Sequence, residues 1–293
     1  MGDTIKSFRN KWEQNKTLAF EETLREGSDL FSWILGRNGF SSAEEMRTYL
    51  KNKRRILDAG CGNGRVTALL RRYAPKETEI VAVDIVSAEI ARENLQAYGL
   101  SEGVHFFEKD LLGDLSDLGK FDFIYCQEVL HHTPDPEKAL MNLRTLLSPA
   151  GEMAIYVYKV KAPAREFVDD YVRGKISDLG YSEAIRVCEQ ITAFGKVLSE
   201  YGITLKAPGV DVLGIEEGTY DLQRFIYHFF MKCFWNPDLT FQENAAINYD
   251  WYHPKIASRH SVEEVRGWFE RAGLKIVHEH VDLYGITMRG RAV

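Results

Sequence analysis

The chain has 293 residues, of which 45% are apolar and 27% charged, and its formal net charge is −6. This composition excludes a disordered or fibrous chain and suits one large domain or one domain with an elaboration; the acidic balance argues against a nucleic-acid substrate, which wants a basic face. No apolar run approaches the roughly 20 residues that span a bilayer, Met1 to Asn15 lack a signal-peptide core, and four cysteines without a C-x-x-C pair suggest neither zinc nor disulfides, so a cytoplasmic location is expected.

Residues 1–54 read as an N-terminal helical cap segment, because Trp12, Phe20, Leu24, Leu30, Phe31, Trp33 and Ile34 are apolar with nothing in a sheet to bury them. Arg55 to Asp58 finish a buried strand, followed by Gly60, Gly62 and Gly64 at alternate positions. Such glycines let the backbone turn sharply and lie against a ligand. A helix over 64–73 follows, with Val66, Ala68, Leu69 and Leu70 as its apolar face. Two details separate this turn from a dinucleotide fingerprint. Arg65 stands where that fingerprint wants a third small residue, and Asp58 suits a ligand carrying an ammonium group. The strand over 79–84 ends in Asp84, about 20 residues beyond the turn, where an acid can accept from the two hydroxyls of a ribose. Ser87 then starts a helix to 98. A third strand, 104–107, leads to Asp110, which could accept from an adenine amino group. A fourth, 121–126, runs into His131 and His132; a helix near 136–147 and a fifth strand, 151–158, follow.

The order LDAGCGNGR, VDI, KDLL, FDFIYCQEVLHHTPDPEKAL and LLSPAGEMAIYVY resembles the class I S-adenosylmethionine-dependent methyltransferases, closely over residues 53–159 and more loosely over Ser261 to Arg291. The resemblance implies that Asp58, Gly60 and Gly62 cradle the methionine part of the cofactor. It implies that Asp84 holds the ribose, that Asp110 and Leu111 flank the adenine, and that Gln127 lies near the cofactor's amino group. Cys61 and Asn63 in the turn and Ile85 beside Asp84 complete the expected cofactor set. Where the family usually reads PGG before strand five, this chain has Pro149-Ala150-Gly151, which alters a turn.

Between strand five and the last helix lies an insertion, residues 160–260, too long for a loop. Helical spacing shows in Ala164 to Val172, Ser182 to Tyr201 and Thr219 to Phe234. Because ligands in such folds bind beyond the carboxyl ends of the strands, the insertion is expected to be a helical, aromatic-rich lid. Its aromatic set, Phe225 to Tyr252, mostly supplies the lid's own core and otherwise walls a partly apolar pocket. With 11 Lys and Arg against 14 Asp and Glu, the insertion does not suit a polyphosphate. Residues 261–293 complete the core 55–159 with a helix opened by a capping box at Ser261 to Glu264 and two edge strands.

Candidate bases are histidines and carboxylates near the strand ends. His132, after strand four, is the first choice. In the second cluster, His253 and Asp250 could act as base and orienter, and Tyr158 could orient through its hydroxyl. No recognised metal spacing joins His132, His228, His253, His260 and Asp250, so no metal is expected.

These readings give an α/β protein, a doubly wound, mostly parallel Rossmann-like sheet with a helical lid and an N-terminal helical segment. The expected activity is transfer of a methyl group from S-adenosyl-L-methionine, leaving S-adenosyl-L-homocysteine, to a small molecule or sugar, at oxygen. Nitrogen, carbon or sulfur acceptors stay open, as does a nicotinamide oxidoreductase, which Arg65 and Asp58 disfavour. No nucleic-acid partner and no membrane span are expected, and a homodimer is one option for an oligomeric state the sequence leaves unset.

Overall fold

A computed structural model describes residues 2–293. In chain order, helices α1 (Gly2–Gln14), α2 (Phe20–Leu24), α3 (Asp29–Arg37) and α4 (Ala43–Leu50) precede β1 (Arg55–Ala59), α5 (Arg65–Tyr73), β2 (Glu79–Asp84) and α6 (Ala88–Ala97). Then come β3 (Val104–Glu108), β4 (Phe121–Gln127), α7 (Pro136–Thr145), β5 (Leu147–Tyr158), α8 (Pro163–Ile176) and α9 (Tyr181–Glu200). The chain continues through β6 (Thr204–Ala207), β7 (Gly218–Asp221), α10 (Leu222–Phe229) and α11 (Phe241–Tyr252), and ends with α12 (Val262–Arg271), β8 (Leu274–Val281) and β9 (Gly285–Ala292). It divides into a sheet unit, Lys16–Lys159 with His260–Val293, and a helical unit, residues 2–15 with Val160–Arg259.

In the sheet unit seven strands lie in the order β3-β2-β1-β4-β5-β9-β8. Strands β1 to β5 pair in parallel, and β9 runs antiparallel to both β5 and β8. Strand alternation sends Leu57, Val81, Ile124 and Ile155 to one face and Ile56, Ala82, Phe123, Tyr125 and Ala154 to the other. The second face is covered by Phe20, Leu24, Phe31 and Ile34 together with α5 and α6. This corrects the expectation that these N-terminal apolar residues find nothing in the sheet to bury them. The order reverses between β1 and β4, so the loops leaving the carboxyl ends of those strands frame the crevice where such sheets bind ligands.

Ala150 takes a φ of 59° just before Gly151, in the left-handed region that a β-carbon disfavours. The one-residue departure at this turn therefore carries backbone strain. The expected capping box of the last helix is half made: Ser261 accepts from Glu264 N, while the Glu264 carboxylate engages His260 Nδ1 at 3.0 Å.

In the helical unit, α11 packs on α8, α9 and α1, and α10 packs on α8 and α9. Thr219 to Phe234 do not form one helix. Thr219 and Tyr220 pair with Lys206 and Leu205 in a short hairpin, and the Asp221 side chain caps α10 by accepting from Arg224 N. After α10 the chain is irregular, and side chains satisfy its backbone. Asn248 bonds both the N–H and the carbonyl of Phe234, Asn244 does the same for Asn236, and Asp169 accepts from Lys232 N. Gly195 on α9 admits this segment, since a β-carbon there would lie 2.4 Å from the Cys233 carbonyl oxygen. Among the described residues no helix is long and apolar enough to cross a membrane.

Candidate active site

The loop after β1 is built by glycine and by the neighbouring strand. Gly60 and Cys61 both donate to Val83 O, at 2.8 and 2.9 Å. Gly60 has a φ of +89°, and a β-carbon on it would lie 2.3 Å from Val129 Cγ2, so only glycine lets the turn after β4 close over this loop. Gly62 donates to Asp84 Oδ2 at 3.0 Å, while Asp84 Oδ1 accepts from Val86 N and Ser87 N. Asp84 thus ties the β1 loop to the start of α6. It is half-buried and, as an ionised carboxylate, has lone pairs beyond these three bonds.

Asp58 is buried at the end of β1 and accepts from Thr67 Oγ1 at 2.5 Å. Burial pushes its carboxyl up to about 7; the Thr67 hydrogen bond opposes the shift and the nearby Asp84 charge adds to it. Cys61 is buried, and desolvation with the two neighbouring acids holds its thiol well above the usual range. Asn63 is buried with its amide donating to the carbonyls of Lys16 and Leu18, which pins the N-terminal segment to the loop. Asp110 closes its own turn by accepting from Leu112 N; half-buried Ile85 directly follows Asp84 in the bend after β2, and Leu111 points into the sheet core. Gln127 is buried, and its Oε1 accepts from Tyr125 OH, which in turn accepts from Asn38 Nδ2.

Beyond β4 the backbone turns at Glu128, with a φ of 61°, into a single helical turn, Leu130–His132. His131 is buried and stacked on Tyr158, ring centroids 3.6 Å apart. His132 is half-buried and edge-on to the same tyrosine at 5.6 Å. The sheet unit thus brings His132 and Tyr158 together. His253 and Asp250 belong to the helical unit, where they have other partners. His253 Nδ1 meets Ser7 Oγ at 2.8 Å, its Nε2 meets Leu179 O at 3.0 Å, and Asp250 pairs with Lys11 at 2.9 Å. Both ring nitrogens of His253 being taken, the expected base and orienter pairing gives way to a structural one.

Sequence reasoning missed Glu128, Arg37 and Asn38. Nothing in a lone glutamate signals a left-handed backbone, and the two N-terminal residues carry no motif.

A family model for methyltransferase domains matches residues 40–279. The chain belongs to the class I S-adenosylmethionine-dependent methyltransferases. It is 26% identical over 164 residues to methyltransferase GfsG of Streptomyces halstedii, covering 56% of this chain and 55% of that protein. It is 28% identical over 111 residues to the ubiquinone biosynthesis O-methyltransferase of Coxiella burnetii, covering 37% and 45%. An uncharacterized protein from Synechococcus is 42% identical over 107 residues, 36% of this chain and 25% of that one. The chain therefore spans about half or less of the curated relatives it matches. Among solved structures, the CurJ carbon methyltransferase aligns with a TM-score of 0.50 at 14% identity, over 93% of this chain and 57% of that one, which is a likeness of fold.

The methyl donor of this family is S-adenosylmethionine, and the residues present fit it. The loop is cleared of β-carbons where Gly60 approaches Val129. Asp58 is a buried acid that takes a hydrogen bond from the Thr67 hydroxyl and feels the Arg65 charge without bonding to it, so a ligand ammonium would complete it.

Proposed function

We propose that this protein transfers the methyl group of S-adenosylmethionine to an oxygen of a small molecule, of the natural-product or sugar-precursor kind. In this reading Asp58 and the Gly60 to Gly64 loop hold the amino-acid part of the donor, Asp84 its ribose and Asp110 its adenine edge. When bound, the donor supplies a methyl carbon on a sulfonium, whose leaving group is already activated. The chain's own residues must then align the acceptor, a contribution of about 7 to 11 kcal/mol, and take its proton. His132 accepts that proton from the acceptor hydroxyl while the oxygen forms its bond to carbon and the sulfur keeps the electron pair. Tyr158 holds the imidazole edge-on.

The observation carrying this reading is the pairing of His132, just beyond β4, with Tyr158 at the end of β5, in the same unit as the loop of Asp58 and Gly60. The name of the Coxiella relative, an O-methyltransferase, supports oxygen as the target. The test is incubation with methyl-labelled donor and matched phenol, sugar, amine and thiol acceptors, with products identified by mass. Label on a hydroxyl oxygen is expected. Label confined to nitrogen, sulfur or carbon would overturn the reading.

A further inference from the structure

Gln127 on β4, Tyr156 on β5 and Thr287 on β9 are direct neighbours in register, so their side chains form one row on one face of the sheet. All three are buried. Arg37 sits on this row. Its guanidinium carbon lies 4.5 Å from the rings of both Trp33 and Tyr156, and Nη2 pairs with Asp282 Oδ1 at 2.6 Å. Asp282 also accepts from Tyr284 N and Gly285 N. On this row four polar atoms have no hydrogen-bond partner among the described residues, Arg37 Nε and Nη1, Gln127 Nε2 and Thr287 Oγ1, and beside it one acceptor, Asn38 Oδ1, also lacks one. Native proteins seldom leave such atoms unsatisfied, and a cluster of them calls for a partner. Three of the four can only donate, and the fourth can donate. The missing partner is therefore an oxygen-rich, acceptor-only group, and beside a guanidinium that group is a carboxylate.

The row also says which ligand brings it. The donor-holding acids stand on β1 and β2; Gln127, on β4, is one strand from β1 and borders the donor, whereas Tyr156 is two strands and Thr287 three strands away. At about 4.8 Å per strand that is roughly 10 to 14 Å from Asp58. We propose that Arg37 and Thr287, with Gln127 at the edge nearer the donor, form a carboxylate-binding site for the molecule that accepts the methyl group, an inference that rests on the methyl-transfer reading above. The acceptor is then an organic acid, and Arg37 is a specificity residue.

The test uses the full chain with benzoate and salicylate as probes, benzyl alcohol as an uncharged control, and S-adenosylhomocysteine as an independent ligand. Both carboxylates should raise the melting temperature of the parent, and the alcohol should not. Arg37→Lys and Thr287→Val should weaken carboxylate binding by about 10- to 100-fold and leave S-adenosylhomocysteine affinity within about twofold. Should the Arg37 variant fail to fold, Thr287→Val still decides. It replaces an unpartnered hydroxyl by a methyl of similar shape, so the unliganded protein should melt at or above the parent temperature. Carboxylates that do not stabilise the parent, or that stabilise the variants equally, overturn the proposal. So does a loss of S-adenosylhomocysteine affinity in Thr287→Val, which would assign the row to the methyl donor. A parent that binds no S-adenosylhomocysteine would instead defeat the methyl-transfer reading, and the carboxylate measurements stand apart from it.

Discussion

Arg65 Nη2 donates to the Glu128 carboxylate at 2.9 Å, and Glu128 holds a left-handed backbone, φ 61°. Arg65 Nη1 also donates to Thr23 Oγ1 at 3.0 Å. One cation at the start of α5 thus fastens the N-terminal segment to the turn after β4. That turn costs about 1–2 kcal/mol in backbone strain, and it delivers Val129 onto Gly60. The residue that counts against a dinucleotide fingerprint is the one that locks this site.

The interlock makes Gly60→Ala severe. The new methyl would meet Val129 at 2.3 Å and would occupy a φ of +89°. A loss of about 1–3 kcal/mol in stability is expected, with S-adenosylhomocysteine affinity reduced at least tenfold. Adding Val129→Ala should recover part of both, because it removes the clash and leaves the backbone strain. Calorimetric titration and thermal melts of the parent, Gly60→Ala, Val129→Ala and the double variant check it; no recovery in the double variant would show that Val129 is not the obstacle.

Asp58 makes donor binding depend on pH. Its folded pKa, raised to about 7 by burial, exceeds the ordinary 3.8. Between those values the folded chain keeps a proton that the unfolded chain has lost, so this group's contribution to stability is full below about 3.8 and falls as pH rises towards 7. A ligand ammonium favours the carboxylate, so S-adenosylhomocysteine should bind more tightly as pH rises to about 7 and then level off, releasing a proton on binding. Asp58→Asn should flatten both trends. Titrations in buffers of different ionisation enthalpy between pH 5.5 and 8 test this, and an affinity independent of pH in the parent would contradict it.

The parallel sheet was legible because buried strands ending in acids and glycines leave a local signature: β1, β2 and their loop follow from Ile56 to Arg65 and from Glu79 to Asp84 alone. The role of Phe20, Leu24, Phe31 and Ile34 was not, since covering a sheet face is a long-range relation that apolar spacing does not encode. The hairpin at Thr219 and Tyr220 was masked by helix-like spacing, and register with Leu205 and Lys206 decides it. His253 read as chemical because histidine beside aspartate suggests a relay. Its partners, Ser7 and Leu179, lie far away in sequence.

Ala150 offers a gain. Its φ of 59° costs an alanine about 1–2 kcal/mol relative to ordinary backbone, whereas glycine enters this region freely. Ala150→Gly should therefore stabilise the protein by roughly 0.5–1 kcal/mol after the extra flexibility that glycine gives the unfolded chain. Denaturant midpoints measure it, with S-adenosylhomocysteine affinity unchanged. A lower midpoint would mean that the turn is held by contacts of the Ala150 methyl.

His132 is the last case, because its neighbours separate chemistry from packing. His131 is buried and stacked flat on Tyr158, so His131→Ala should open a cavity and cost a few kcal/mol in stability. His132 is half-buried and meets the same ring edge-on, so His132→Ala should leave the melting temperature within a few degrees of the parent. If His132 takes the acceptor's proton, that variant binds S-adenosylhomocysteine as the parent does and loses kcat by about 10²-fold or more. The limb of the kcat profile that rises with pH should vanish with it. Tyr158→Phe should change kcat far less, since the ring that holds the imidazole remains. A His132→Ala enzyme with parental kcat and an unaltered profile would place the base elsewhere and reduce His132 to a packing partner of Tyr158.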